Sequence, residues 1–154
     1  MQDAFKIIVA AVDIDDELGH AVLKTAADMA GRYGAQLHVV DAWPKLVDIG
    51  FPYARRAEIA EIEKHESERQ QRLRTLEERA ARVSTNAIVM APVGDKTDTL
   101  ETYLENEKAD LLVIGSHQKS PLENLFSGSV SAEMLRHARC AVLVVTKSFA
   151  EGVL

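Results

Sequence analysis

Apolar residues along this chain gather in five short runs: Phe5–Val12, Leu37–Ala42, Asn86–Ala91, Leu111–Ile114 and Ala141–Thr146. The runs are rich in Val and Ile, and polar residues do not alternate regularly through them. That is the pattern of strands covered on both faces, as in a parallel sheet. The segments between them change to a helical period. From Glu17 or Leu18 to Tyr33, the residues Val22, Ala26, Met29, Ala30 and Tyr33 form one apolar face, and Gly34 stands where a helix C-terminal glycine belongs. Arg55 to Val83 reads as a long charged helix with a stripe of Ile59, Ile62, Leu73, Leu76, Ala80 and Val83. The stripe turns polar at Glu66 and Arg69, which predicts that the C-terminal half packs on the sheet while the middle projects into solvent. It is too short and interrupted for a coiled coil.

Leu100, Tyr103 and Leu104 mark a shorter helix, with Asp98 and Glu101 as its start signal. Ser129 to His137 reads as a further helix. Ser129 is its candidate N-cap, and Arg136 and His137 in the last turn suit the dipole. Trp43 to Tyr53 carries Pro44, Gly50 and Pro52 and reads as a loop. Five strands alternating with four helices predict a single doubly wound α/β domain over residues 1–154.

Composition narrows this picture. The chain has 154 residues, 47% of them apolar, enough for one core. A net charge of -6 lacks the basic footprint of a nucleic-acid binder. Cys140 is the single cysteine, so no internal disulfide forms. Ahead of an apolar strand it reads as a small buried hydrophobe. No apolar run approaches the roughly 20 residues that span a bilayer, and the N-terminus does not read as a secretory signal. A cytoplasmic protein without membrane insertion is expected. His20, His38, His65 and His137 show no metal-ligand spacing with one another or with Cys140. His38, inside a strand, is expected to be a packed, satisfied histidine, and Trp43 to cover the sheet edge or a pocket rim.

In doubly wound folds the ligand lies outside the carboxyl ends of the strands, where the strand order reverses. The first strand ends at Asp13, the second at Asp41-Ala42 and the fourth at Gly115-Ser116-His117. A polar loop then leads to Gly128-Ser129 in front of a helix, and such an N-terminus offers free N–H groups to an anion. Asp13, Asp15, Asp16 and Glu17 place four carboxylates within five residues. Asp13 suits a ribose, a cation or the cap of the following helix; Asp15 and Asp16 suit Mg²⁺ or the positive end of that helix. A phosphoacceptor receiver domain would also place acids after its first strand, and Lys147 would fit it. Its acceptor aspartate is missing, because the third strand ends in Met90-Ala91-Pro92. A flavodoxin-like protein would need a hydroxyl- and glycine-rich loop where this chain has acids.

Several motifs in order resemble the universal stress protein family. They are Ile8-Val9-Ala10-Ala11-Val12-Asp13, Leu37-His38-Val39-Val40-Asp41-Ala42, Val93-Gly94-Asp95 and Ala109-Asp110-Leu111-Leu112-Val113-Ile114-Gly115-Ser116-His117. Phe126-Ser127-Gly128-Ser129-Val130-Ser131, Leu135-Arg136-His137-Ala138, Cys140 and Val142-Leu143-Val144-Val145 complete the set. The resemblance implies strand order 3-2-1-4-5 and a homodimer paired through the fifth strand, Ala141, Val142, Leu143, Val144 and Val145. It also implies an ATP site with Val12, Asp13 and Val39 around base and ribose, and Gly115, His117, Gly128, Ser129 and Val130 at the phosphates, with Mg²⁺ accompanying the nucleotide.

Two departures bear on that site. Members that bind ATP carry Gly, two residues, Gly, nine residues, Gly and then Ser or Thr; here Gln118 stands at the middle glycine. Members often have Asp-Gly-Ser after the first strand; here Asp13-Ile14-Asp15 places a carboxylate that would repel a triphosphate. The alternative is a dimeric interaction module of the same family that binds no nucleotide and acts on another protein. No general base or arginine finger for phosphoryl transfer is evident, so binding rather than catalysis is expected.

Overall fold

A computed structural model describes residues 4–46, 55–116 and 130–153, the side chains of 55–57 and 153 excepted. The elements in chain order are β1 (Ile7–Ala11), α1 (Gly19–Tyr33), β2 (Gln36–Val40), α2 (Arg55–Ala81), β3 (Ile88–Met90), α3 (Lys96–Asn106), β4 (Leu111–Gly115), α4 (Val130–His137), β5 (Ala141–Val145) and α5 (Lys147–Val153). The sheet order is β3-β2-β1-β4-β5, and every neighbouring pair is parallel. This is the doubly wound α/β fold, with β1 central between β2 and β4.

Alternation along the strands sends side chains to two separate cores. Ile8, Ala10, Leu37, Val39, Leu111 and Val113 face α1 and the C-terminal part of α2, meeting Val22, Leu23, Ala26, Leu76 and Ala80. Val9, Val40, Leu112 and Ile114 face α3 and α4, meeting Leu100, Leu104 and Met134. Each large side chain buried here contributes about 1.5–3 kcal/mol of transfer free energy. At the amino end of the sheet, the Asp110 carboxylate accepts the N–H groups of Lys6 and Ile7 at 2.8 and 2.9 Å and ties β1 to β4.

Local signals explain most boundaries. Helix α1 ends at Gly34, whose φ of 62° is the left-handed conformation that glycine adopts without cost. Helix α3 begins one turn earlier than the Asp98–Glu101 pair suggests. Its N-cap is Asp95, whose carboxylate accepts from the N–H groups of Thr97 and Asp98. The fifth helix, α5, adds to the four expected. Seven residues hold too few apolar positions to show a period, yet Ala150 is buried and Thr146 Oγ1 accepts the Phe149 N–H at 3.3 Å. His38 is buried, as its strand position predicts, with Nδ1 2.7 Å from the Tyr103 hydroxyl. Burial pushes its pKa down and pushes the Tyr103 phenol up to about 12. Cys140 is half-buried and packs beside the second core, and burial raises its thiol pKa. Among the described residues, no helix is long and apolar enough to cross a membrane.

Candidate functional site

The carboxyl end of β1 turns sharply into α1. Asp13 Oδ1 accepts the Asp15 N–H at 2.9 Å, the Asp13 carbonyl accepts the Asp16 N–H at 3.1 Å, and Asp16 Oδ1 accepts the Leu18 N–H at 2.9 Å. Asp13 therefore organises the turn through both its carboxylate and its carbonyl, while Asp16 serves the first turn before the helix. Space is tight on both sides of the junction. A Cβ on Gly19 would stand 2.6 Å from the Asp13 carbonyl, and one on Gly115 would stand 3.2 Å from Leu18 Cβ and 3.3 Å from Val22 Cγ2. The two glycines let α1 rest directly on the ends of β1 and β4.

A crevice opens there, between the ends of β1 and β4. Val12, Asp13, Asp16, Asp41, Lys96, Leu100, Gly115 and Val130 are on its wall. Of the predicted site residues, Val12, Asp13, Gly115 and Val130 thus come together. Val39 does not. It is fully buried in the core against α1 and α2, and Val40 and Asp41 form the wall instead. The reason is the period of two: Val39 points to one face of the sheet and Val40 to the other. His117, Gln118, Gly128 and Ser129 lie outside the described residues.

The charged residue that dominates this region is one the sequence did not single out. Arg72 of α2 reaches over the ends of the strands. One guanidinium nitrogen lies 3.1 Å from Asp13 Oδ1 and 3.0 Å from Asp41 Oδ2, and the other pairs with Asp15. Lys96 Nζ lies 3.4 Å from Asp13 Oδ2. The guanidinium carbon also stands 5.2 Å from the centre of the Trp43 ring, within cation–π range. Trp43 pairs with Val93 by a β-bridge and packs its ring 5.1 Å from that of His65. The sequence reading puts Trp43 at the sheet edge or a pocket rim; it lies instead between Arg72 and His65 and is not on the crevice wall.

Arg72 belongs to a polar face of α2. His65 Nε2 is 2.8 Å from the Pro44 carbonyl, Arg69 Nε donates to the Ala91 carbonyl at 2.8 Å, and Arg79 donates to the Ile14 carbonyl at 3.1 Å. The middle of the helix therefore does not simply project into solvent. Its exposed side does, with Glu66 outward, but its inner side continues the Leu76 and Ala80 contact in polar form. Ile59 and Ile62, expected on the packing stripe, are 52% and 51% exposed.

The acids respond differently to the same cation. Burial acts to raise the Asp13 carboxyl, but the Asp15 N–H, Lys96 and Arg72 outweigh it and hold the group below the ordinary carboxylate range. Burial raises Asp41 above that range, because it is the more enclosed and Arg72 offsets only part of the cost. Burial also works against charge on Arg72, yet Asp15, Asp41 and Asp13 together raise its pKa. The oxygens of Asp13 and Asp15 are thus taken up by cationic side chains. Among the described residues, no three His, Cys, Asp or Glu side chains are grouped to hold a metal ion. A Mg²⁺ ion on Asp13 would have to displace Arg72 or Lys96 from its oxygens.

Five parallel strands in this order, two layers of helix and a crevice beside the central strand define a doubly wound α/β protein of the kind that binds ligands at its strand ends. A model of the universal stress protein family matches residues 4–146. Universal stress protein MJ0531 of Methanocaldococcus jannaschii is 30% identical over 154 residues, covering 95% of this chain and 85% of its own. Universal stress protein Rv1636 of Mycobacterium tuberculosis is 32% identical over 150 residues, covering 92% and 97%. Among solved structures, a universal stress protein in complex with cAMP superposes with a TM-score of 0.66 at 24% identity, covering 92% of this chain and 97% of that one. The hypothetical protein MJ0577 superposes with a TM-score of 0.70 at 19% identity, covering 94% and 97%. The chain belongs to the universal stress protein family.

Proposed function

We propose that this protein binds an adenine nucleotide in the crevice between β1 and β4 and acts through that binding rather than through turnover. One observation carries the reading. Asp13, Gly115 and Val130 are remote in sequence and line a single crevice where the strand order reverses. Val12 and Asp13 serve the base and ribose. Gly115 and Val130 serve the phosphates, together with His117, Gly128 and Ser129 of the intervening segment. Lys96 adds a cation to the wall. A structural neighbour in complex with cAMP supports the nucleotide class. ATP is the ligand expected from the sequence pattern.

A second reading is a protein of the same fold that binds no nucleotide and works as an interaction module. Gln118 at the middle glycine favours it. Titration calorimetry with ATP, ADP and cAMP, in magnesium and in EDTA, separates the two. Saturable heat that Asp13→Ala abolishes supports nucleotide binding. No heat from the wild type, with heat from Gln118→Gly, assigns the loss to that side chain and leaves the interaction module as the function.

The assembly we propose is a cytoplasmic homodimer joined through Ala141, Val142, Leu143, Val144 and Val145. This strand is one of the two edges of the sheet, opposite β3, and an apolar edge left open invites pairing. A separate protein partner would read the ligand state.

A further inference from the structure

We propose that Arg72 is the internal countercharge of the crevice, standing where a cation would otherwise be needed and giving the site its tolerance for phosphate-bearing ligands. The inference rests on the nucleotide reading and names the residue that makes it compatible with the acids around it.

The argument begins with a conflict. Asp13 and Asp41 are on the crevice wall, and Asp15 is two residues from Asp13. Three carboxylates at one end of a sheet repel a polyphosphate, and the repulsion grows as the surroundings exclude water. Arg72 meets all three. Its guanidinium is planar and permanently charged, so it bridges several carboxylates in fixed directions where a lysine would present a single point charge. It is held there by Trp43 on one side and by the rest of the α2 face on the other: His65, Arg69 and Arg79 fasten that helix to the carbonyls of Pro44, Ala91 and Ile14. Lys96 supplies a second cation to Asp13 from α3.

Arg72 is not itself on the crevice wall, whereas Asp13 and Asp41 are. It therefore acts through them, as a positioning residue. Without it the acids lose their common partner and the wall becomes more negative.

The test uses the 154-residue protein and three variants, Arg72→Gln, Arg72→Lys and Asp15→Asn/Arg72→Gln, each checked for a cooperative thermal transition. Adenosine, AMP and ATP are titrated in EDTA. Arg72→Gln should weaken ATP by on the order of tenfold or more and AMP by less, and should leave adenosine within about threefold. Arg72→Lys should recover part of the ATP loss, and Asp15→Asn should recover part of it in the double variant. In the ligand-free protein, carbon-detected NMR titration should show the Asp13 and Asp41 carboxyls moving up in Arg72→Gln. Equal losses for adenosine and ATP, or carboxyl titrations that do not move, would overturn the countercharge role. A wild type that binds none of the three ligands defeats the nucleotide reading. The carboxyl titrations then decide the role of Arg72 without any ligand.

Discussion

Gly19 and Gly115 are where helix α1 comes closest to the ends of the central strands, and each tolerates a side chain differently. A methyl on Gly115 would press on the side chains of Leu18 and Val22 at 3.2–3.3 Å, which can shift by small amounts. Gly115→Ala should cost about 1–3 kcal/mol, the usual range for overpacking. A methyl on Gly19 would meet the Asp13 carbonyl at 2.6 Å, and backbone cannot step aside without moving the turn. Gly19→Ala should therefore cost more than Gly115→Ala, as read from urea denaturation midpoints. It should also displace Asp13, with a larger loss of ligand affinity. Equal costs would mean that the turn after β1 is softer than its hydrogen bonds indicate. Residue-scale reading from sequence reached Asp13 and Gly115, because each ends an apolar run. The family resemblance puts Val39 at the base and ribose, whereas the wall residue is Val40. One position along a strand is a change of face, and an apolar run covered on both sides gives no sign of which face is which.

Helix α2 carries the main lesson at the scale of elements. Its inner face is apolar at Leu76 and Ala80 and polar at His65, Arg69 and Arg72, and both parts dock. A search for apolar periodicity follows only the first part. The partners of the second part are Asp13, Asp15, Asp41 and the Pro44 and Ala91 carbonyls, all far away in sequence, so nothing near Arg72 announces its role. The same search put Ile59 and Ile62 on the packing stripe, and both are half exposed. Leu76 is fully buried. Leu76→Ala should cost about 2–5 kcal/mol, in line with large-to-small core substitutions. Ile62→Ala should stay within about 0.5 kcal/mol, as surface substitutions do. A comparable loss from Ile62→Ala, measured by chemical denaturation, would show that its face is covered in solution. Shorter signals behaved similarly. The N-cap of α3 is Asp95, one turn before the Asp98–Glu101 start signal.

For the whole molecule, the free edge at β5 is the feature with the largest consequence. Ala141 donates to the Asp110 carbonyl and the Val145 carbonyl accepts from Ser116, so these residues turn their backbone groups towards β4. By alternation, Val142 and Val144 turn theirs outward. A proline at Val144 therefore removes an outward N–H while sparing the ladder with β4. Val144→Pro should give a folded monomer in analytical ultracentrifugation if two copies pair through this strand. A dimer of unchanged stability would place the contact elsewhere. The sheet order itself came from family resemblance rather than from periodicity, since apolar runs identify strands but not their neighbours.

The Asp110 clamp at the amino end of β1 joins groups 103 residues apart in the chain. Bringing such distant segments together costs loop entropy before any contact compensates for it, and parallel pairing of this kind is slow. The crevice straddles the same β1–β4 seam. During folding, the ligand site therefore exists only in chains that have already closed their longest loop, so a nucleotide captured there would act on the finished sheet and not on its precursors.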